Sequence, residues 1–199
     1  MRNVLRSGRD KTNTEPLSLE QLYDAHAPAL LSLCYRYVGN MADAEDVLHD
    51  GFIKIIKNRA TFRAMTVGTF EGWMKRIMVN TALNYIRDHA KEKRWVDLDP
   101  LYERIGNEEE EATFMDGLVG KIKQEVIMEM ICELPPGYRT VFNMYVFESY
   151  SHKEIATEMN VSESTSKTQL LKARALLRKR IHEFLKNQDE KYGQKEFSR

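Results

Sequence analysis

One stretch, from Ser151 to Arg180, restricts the fold of this chain more than any other. It predicts a short helix, a tight turn at Asn160 and a longer basic helix that begins after Ser162. Asparagine tolerates left-handed backbone angles and serine is a favoured N-cap, so both residues suit a turn between two helices. Apolar residues then recur at spacings of three and four, which predicts one buried helical face: Leu170, Ala173, Leu177, Ile181 and Phe184. The stretch is therefore predicted to be a helix-turn-helix.

A helix-turn-helix that binds DNA places the start of its second helix in the major groove. Here that part of the sequence is rich in side chains that hydrogen-bond with base edges or phosphates: Ser162, Ser164, Thr165, Lys167, Thr168, Gln169, Lys172 and Arg174. Ser166 departs from the pattern, because it occupies a slot that is usually apolar. A basic helix with a solvated face fits the same residues. The stretch alone does not decide between these interpretations.

The distribution of charge is more informative than its total, which is zero at pH 7. Residues 54–94 hold ten Lys or Arg against three Asp or Glu, and residues 163–182 hold six against one. Residues 95–120 hold one against eight. A uniform net charge of zero would argue against nucleic-acid binding, but two basic blocks that flank an acidic segment remove that objection.

Several classes of protein are disfavoured by what the sequence lacks. Cys34 and Cys132 lie far apart on apolar helical stripes, which favours buried small hydrophobes, and no Cys/His cluster has the spacing of a metal site. No cofactor is therefore expected. Residues 1–15 are basic and polar, unlike a secretion signal, and no apolar run approaches the roughly 20 residues of a membrane span. A cytoplasmic protein is expected.

Helical periodicity recurs along the chain and no strand pattern of useful length appears, so the predicted fold class is all-α. We predict two small helical domains joined by a flexible acidic linker, the second domain containing the helix-turn-helix. The predicted segments are a disordered tail 1–15, a first domain 16–96, a linker 97–121, a second domain 122–186 and a tail 187–199. Within the first domain we expect a kink or break near His26 caused by Pro28, a loop over 58–69 and a long helix over 70–94.

Two surfaces of the first domain are open to a functional interpretation. Asp43, Asp46, His49 and Asp50 are predicted to lie on the outside of one helix, where they serve either helix capping and solubility or contact with a protein partner. The helix 70–94 interleaves aromatic residues with cations, a pattern typical of proteins that bind single-stranded nucleic acid. The alternative is that its aromatic residues belong to the core, which we favour for Trp73.

Taken together, these stretches resemble the extracytoplasmic-function (ECF) sigma factors, the compact promoter-specificity subunits of bacterial RNA polymerase. The resemblance covers about residues 17–185 and rests on three blocks in order. The first is LYDAHAPALLSLCYRYVGNMADAEDVLHDGFIKII and the second is GTFEGWMKRIMVNTALNYIRDHAKEKR. The third, after the acidic linker, is LPPGYRTVFNMYVFESYSHKEIATEMNVSESTSKTQLLKARALLRK.

The resemblance implies a role for three sets of residues. Docking on the clamp helices of the largest polymerase subunit is implied for Asp46, Val47, His49, Asp50 and Phe52. Binding of the melted minus-ten strand is implied for Phe62, Arg63, Lys75, Arg76, Asn80, Asn84, Arg87, Lys91, Lys93 and Arg94. Recognition of the minus-thirty-five duplex is implied for the helix-turn-helix residues named above.

The implied partners are core RNA polymerase, including the flap of its second-largest subunit, promoter DNA and an anti-sigma factor. Phosphodiester synthesis would belong to the polymerase, so no enzymatic activity is expected. One alternative is an ordinary helix-turn-helix regulator whose first 95 residues sense a ligand or dimerise. Another is a helical enzyme that uses His49 and His89, although these residues lack the spacing of a metal site or a catalytic triad.

Overall fold

The computed structural model describes residues 18–63, 69–89 and 122–196, with side chains up to residue 59 in the first range and 188 in the last. Nearly all of these residues are helical. The elements in chain order are α1 (Leu19–Val38), α2 (Met41–Arg63), α3 (Phe70–His89), α4 (Gln124–Cys132), α5 (Pro136–Phe142), a π-helical turn (Asn143–Phe147), α6 (His152–Met159) and α7 (Glu163–Glu196). These ranges contain no strand, which confirms the all-α prediction for them.

Helix boundaries differ from the predictions in three places. The first helix continues through Pro28, whose ring lies at an exposed position, so the predicted break is wrong. The second helix continues to Arg63 through the first half of the predicted loop 58–69, because residues 58–63 contain neither glycine nor proline. The last helix runs to Glu196 through most of the predicted tail 187–199, whose Lys, Glu and Gln residues are good helix formers.

Reciprocal capping boxes mark where α1 and α6 begin. The N–H of Gln21 donates to Ser18 Oγ at 3.1 Å, and the N–H of Ser18 donates back to Gln21 Oε1 at 3.0 Å. Ser151 and Glu154 form the same capping box ahead of α6. These hydrogen bonds hold the pKa of the Glu154 carboxyl below its usual value. Both α1 and α6 therefore begin where the sequence has a Ser followed three residues later by Gln or Glu.

The first three helices pack into one bundle. Its fully buried side chains include Leu22, Tyr37, Val47, Ile55, Met74 and Met78. Gly51 lets α2 and α3 approach closely, because a Cβ at that position would overlap Met78 Sδ. This bundle corresponds to the predicted first domain and presents one outer face of α2 and two sides of α3.

Helices α4 to α7 pack into a second bundle. Its buried side chains include Ile131, Leu134, Val141, Met144, Ile155, Leu177 and Ile181. Pro135 and Pro136 end the first of these helices and start the next, as the sequence predicts. The apolar face predicted for the long basic helix is confirmed for Leu170, Ala173, Leu177 and Ile181, all of which are buried.

The two bundles also contact each other. The C-terminal end of α1 lies against α4 and α5, so the second bundle covers the end of a first-bundle helix. The predicted linker 97–121 lies outside the described residues.

Both cysteines are buried, as their apolar surroundings in the sequence predict. Burial raises the pKa of the Cys34 thiol to about 12 and also raises that of Cys132. The thiols therefore stay protonated near neutral pH and act as small hydrophobic groups. None of the described helices combines the length and apolar character needed to cross a membrane.

Candidate nucleic-acid interface

The turn between α6 and α7 has the geometry that its sequence predicts. Asn160 adopts a left-handed conformation with φ 53° and ψ 49°, and the N–H of Val161 donates to Ala156 O at 3.0 Å. Ala156 is buried at the crossing of the two helices. The chain therefore reverses within three residues, and α7 begins on the surface of the second bundle. The predicted helix-turn-helix is present.

The first turn of α7 divides the predicted DNA-binding residues into two groups. Ser162 Oγ accepts a hydrogen bond from the N–H of Thr165 at 3.0 Å and lies 2.8 Å from Thr165 Oγ1. These two hydroxyl groups are therefore occupied in capping the helix. Ser164, Lys167 and Thr168 are exposed and point away from the bundle. They form the open surface at the start of the second helix.

The remaining predicted contact residues of α7 are partly buried. The Oε1 atom of Gln169 is shielded from solvent and has no hydrogen-bond partner among the described residues. Lys172 Nζ lies 5.8 Å from the ring centre of Tyr138, and Arg174 Cζ lies 5.8 Å from that of Tyr145. In this conformation these three residues lie at the margin of the open surface.

Ser166 is explained by a polar contact inside the helix-turn-helix. Its side chain is fully buried, and its Oγ lies 2.9 Å from His152 Nδ1 at the start of α6. The His152 ring in turn stacks on Tyr145 with 4.7 Å between ring centres. A hydroxyl group in a usually apolar slot is therefore paired with an imidazole, which removes the cost of burying it alone.

The conformation of Asn160 makes the turn sensitive to substitution. We expect Asn160→Ala to lower the free energy of unfolding by about 1 kcal/mol. In a left-handed backbone conformation the Cβ is crowded, and alanine lacks the polar side chain with which asparagine offsets that cost. Asn160→Gly should leave it unchanged or raise it slightly, since glycine adopts the same angles without strain. Urea unfolding of the full chain measures both variants. Equal stability of the alanine and glycine variants would contradict this account.

One side of α3 is open to solvent and lies next to α2. Asn80 and Asn84 are exposed, and Arg87 Nη1 donates to Asn84 Oδ1 at 3.1 Å. A cleft of about 440 Å³ runs between the two helices, and Asn84 and Tyr85 line it from α3. Tyr85 is half-buried and stacks on His89 with 4.1 Å between ring centres. This side combines amide groups with a stacked aromatic pair.

The other side of α3 faces the second bundle. Lys75 and Arg76 line a cleft of about 420 Å³ whose opposite wall includes Glu148, Tyr150 and Glu154. Burial raises the pKa of the Tyr150 phenol, and the positive charge of Arg76 opposes that shift. Basic groups of α3 therefore share this cleft with acidic and phenolic groups of the second bundle.

Five predicted minus-ten residues have side chains that the structure does not describe. Phe62 and Arg63 have helical backbones at the end of α2. Lys91 and Arg94, like Lys93, follow α3 and lie outside the described residues. Trp73 is half-buried against the core and stacks on Phe70 with 5.5 Å between ring centres, as favoured from the sequence.

The outer face of α2 agrees only in part with the predicted docking residues. Asp46, His49 and Asp50 are exposed. Val47 and Phe52 are only 1% and 5% exposed, so both side chains belong to the core and are not available to a partner.

Ile53 and Ile56 are apolar residues that this helix exposes beyond the predicted set, at 48% and 42% exposure. Ile53 follows Asp50 by three residues and Asp46 by seven, so a helical projection of the sequence could have found it on the same face. Among the described residues, no group of three or more His, Cys, Asp or Glu side chains is placed to hold a metal ion.

Comparison with protein families accounts for both bundles. The family model for sigma-70 region 2 matches residues 22–92, and the model for sigma-70 region 4 matches residues 124–177. The chain is an ECF sigma factor. Region 2 corresponds to the bundle of α1–α3, and region 4 corresponds to the bundle with the helix-turn-helix. As a sigma factor it directs RNA polymerase to promoters.

Individual relatives agree with this assignment. The chain is 29% identical over 163 residues to ECF RNA polymerase sigma factor SigE of Mycolicibacterium smegmatis, across 81% of this chain and 60% of SigE. It is 28% identical over 172 residues to ECF RNA polymerase sigma factor SigW of Bacillus subtilis, across 81% of this chain and 88% of SigW. Only part of SigE is therefore represented here.

Two solved structures cover most of the sigma factor at low identity. The sigma factor RpoE of Bartonella quintana, in complex with the anti-sigma factor NepR, gives a TM-score of 0.49 at 16% identity. That comparison covers 80% of this chain and 94% of RpoE. CnrH, in complex with the cytosolic domain of CnrY, gives a TM-score of 0.45 at 19% identity over 82% of this chain and 87% of CnrH.

Proposed function

We propose that this sigma factor divides promoter recognition between its two bundles while α2 holds it on core RNA polymerase. Region 4 reads the minus-thirty-five element as duplex, and region 2 reads the minus-ten element as melted single strand. The main support is that both sigma-70 regions match in chain order and that each bundle has an exposed surface of suitable chemistry. The proposed domain limits are those predicted from the sequence, 16–96 and 122–186.

In region 4, the proposed reading surface is the start of α7. Ser164, Lys167 and Thr168 are exposed there, and these residue types hydrogen-bond with base edges or phosphates in the major groove. Ser162 and Thr165 contribute by capping the helix, so that its N-terminal dipole faces a phosphate. Gln169, Lys172 and Arg174 take part if their side chains turn outward from their partly buried positions.

In region 2, the proposed single-strand surface is the open side of α3. Asn80 and Asn84 supply amide groups for the edges of unpaired bases, and Tyr85 supplies a ring for stacking. Strand opening costs unstacking energy, which contacts of this kind offset. The other residues proposed to hold the strand are Phe62, Arg63, Arg87, Lys91 and Arg94, together with Lys75 and Arg76 from the side of α3 that faces the second bundle.

The proposed polymerase-docking surface is the exposed stripe of α2. Asp46, His49 and Asp50 supply polar contacts, and Ile53 supplies the apolar contact that the buried Val47 cannot make. The proposed partner of this stripe is the clamp helices of the largest polymerase subunit. Region 4 would bind the flap of the second-largest subunit. Apolar groups ringed by charges are typical of protein interfaces.

Attachment to the polymerase explains how two small bundles become selective. Much of the affinity of a protein for DNA comes from phosphate contacts and counterion release, which carry no sequence information. Polymerase holds both regions at a fixed separation, so binding of the second promoter element becomes intramolecular. Phosphodiester synthesis remains with the polymerase, and sigma factors are in general not enzymes. We place the protein with polymerase on the nucleoid and expect an anti-sigma factor as its inhibitor.

Reconstitution with bacterial core polymerase tests the proposal. Transcripts from fragmented genomic DNA should start at defined sites when the sigma factor is added to core enzyme, and should be absent with core enzyme alone. Mapping the transcript starts gives the two promoter elements. Failure to form a complex with core polymerase, combined with tight specific binding of duplex DNA by the free protein, would favour an ordinary helix-turn-helix regulator instead.

Lys167 tests the proposed reading surface of region 4. Lys167→Ala should weaken promoter binding by holoenzyme about five- to tenfold and lower the slope of log affinity against log salt by about one, because one cation leaves the DNA interface. Lys179→Ala removes an equally exposed cation from a later turn of α7 and is the matched control. Equal effects of the two substitutions would exclude a specific role for the start of the helix.

A further inference from the structure

Four side chains form one continuous set of contacts across the helix-turn-helix. Ser166 Oγ on α7 lies 2.9 Å from His152 Nδ1 on α6, and the His152 ring stacks on Tyr145 with 4.7 Å between ring centres. The centre of the Tyr145 ring lies 5.8 Å from Arg174 Cζ, which belongs to α7 again. We define the α7 brace as Ser166, His152, Tyr145 and Arg174. It leaves α7 at one residue and returns to the same helix about two turns later.

Tyr145 is held by its backbone and by the stacked imidazole. It lies in the π-helical turn Asn143–Phe147, a kind of turn that is rare and frequently found at functional sites. The planes of the Tyr145 and His152 rings are inclined by only 23°, so the rings are nearly parallel. Tyr145 is 37% exposed although it is a large aromatic residue. Its ring therefore lies at the surface of region 4, where it can hold a neighbouring side chain.

Arg174 is the side chain that the Tyr145 ring holds. A guanidinium within about 6 Å of the centre of an aromatic ring is attracted by the negative face of that ring. Arg174 is half-buried, so its side chain lies along the protein instead of extending freely into solvent. A long side chain that is already restricted loses less rotamer freedom when it binds a partner. The brace therefore suits a cation whose position is set before its ligand arrives.

The place of Arg174 on α7 indicates what that ligand is. Arg174 follows Lys167 by seven residues, which is two helical turns on nearly the same side of the helix and about 10 Å along its axis. The major groove of DNA is about 8.5 Å deep. When the start of α7 is inserted in the groove, a residue about 10 Å further along the helix lies at the level of the phosphate backbone.

We propose that Tyr145 and His152 are positioning residues for promoter recognition, which hold Arg174 at a phosphate of the minus-thirty-five duplex. Phosphate contacts fix the register and orientation of a protein on DNA, so the brace sets how the reading surface of α7 lies in the groove. Ser166 completes the brace, because its hydroxyl group pairs with the imidazole. The inference rests on the proposed function for the duplex that Arg174 meets, whereas the brace itself rests on the contacts within region 4.

Promoter binding by holoenzyme at several salt concentrations tests the brace. Arg174→Ala should weaken binding about five- to tenfold and lower the slope of log affinity against log salt by about one, because one phosphate contact is lost. Tyr145→Leu should weaken binding about three- to fivefold, the range expected for loss of one cation–π contact. Tyr145→Phe retains the ring and should bind within about twofold of wild type.

A double-mutant cycle separates positioning from a general effect on the fold. If Tyr145 acts through Arg174, Y145L/R174A should bind promoter DNA as weakly as Arg174→Ala alone and no more weakly. The same should hold for H152A/R174A. Val146→Ala is the matched control, because it removes apolar surface from the neighbouring residue of the same π-helical turn, which is 43% exposed. Its affinity should equal that of wild type.

Three results would overturn the brace. They are equal losses for Tyr145→Leu and Tyr145→Phe, a Tyr145→Leu loss that persists when Arg174 is absent, and wild-type affinity of Arg174→Ala. Lys167→Ala distinguishes these results from failure of the proposed function. If Lys167→Ala weakens promoter binding while the brace variants do not, region 4 reads the duplex without the brace. If neither Lys167→Ala nor Arg174→Ala weakens it, both the reading surface and the brace are refuted.

Discussion

Gly39→Ala is expected to lower the free energy of unfolding by about 3 kcal/mol, which corresponds to a fall in Tm of roughly 10 °C for a chain of this size. Gly39 ends α1 with φ 84°, an angle that costs a residue with a Cβ about 1 kcal/mol or more. A Cβ at this position would also lie 2.5 Å from Arg139 Nη1 and 3.1 Å from Cys132 O. The guanidinium is hydrogen-bonded to carbonyl groups on both sides, so it cannot move aside without losing bonds.

Gly72→Ala is the matched control for this measurement. Gly72 is exposed in the first turn of α3, and an added Cβ would meet only the Thr69 hydroxyl at 3.1 Å. The variant should change the free energy of unfolding by no more than about 1 kcal/mol, since alanine is the better helix former. Thermal or urea unfolding of both variants measures the difference. A loss at Gly39 no larger than at Gly72 would mean that Arg139 does not occupy the end of α1.

Asp50→Arg is expected to weaken binding to core polymerase by a factor of about 30 to 100, or roughly 2–3 kcal/mol. Asp50 is exposed on the proposed docking stripe, one helical turn from both Asp46 and Ile53. The family resemblance implies that the Asp50 carboxylate contacts the clamp helices. The substitution places a cation at that contact. The free energy of unfolding should change by less than about 0.5 kcal/mol, because the side chain is at the surface.

Glu183→Arg provides the comparison for Asp50→Arg, because it makes the same change in net charge at an exposed position of α7 in region 4. Fluorescence anisotropy with labelled sigma factor and core polymerase gives both dissociation constants, and repetition at two salt concentrations separates specific contact from long-range attraction. If the two variants lose affinity equally, or if Asp50→Arg retains wild-type affinity, the α2 stripe is not the docking surface.

Local sequence signals were sufficient for much of the second bundle. Asn160 at the turn, Ser162 at the cap and the apolar spacing from Leu170 onward all act within one or two helical turns, and the structure has each of them where predicted. Ser166 differs, since its partner His152 lies 14 residues earlier and on another helix. The polar pair becomes evident only when the crossing of α6 and α7 is known.

The docking face of α2 shows a second limit of sequence patterns. Val47 and Phe52 belong to a block that resembles the polymerase-binding surface of the family, yet both side chains fill the core. A sequence motif identifies which segment contacts a partner. Whether an individual side chain in that segment is buried depends on which face of the helix the neighbouring helices cover. The exposed Ile53 follows from the helical period once the buried face is known.

By itself, the sequence determined the helical fold class, the order of the two sigma-70 regions and most of the residue types on their exposed surfaces, because helical periodicity, capping and charge blocks are encoded over short distances. Only the tertiary structure decided that Arg139, Asn143 and Glu148 bind the end of α1 about a hundred residues earlier in the chain. No local pattern encodes such a contact, since it depends on how two separately packed bundles meet. That meeting brings Arg87 Nη2 within 3.5 Å of Glu158 O in region 4, while Asn80 and Asn84 stay exposed to solvent.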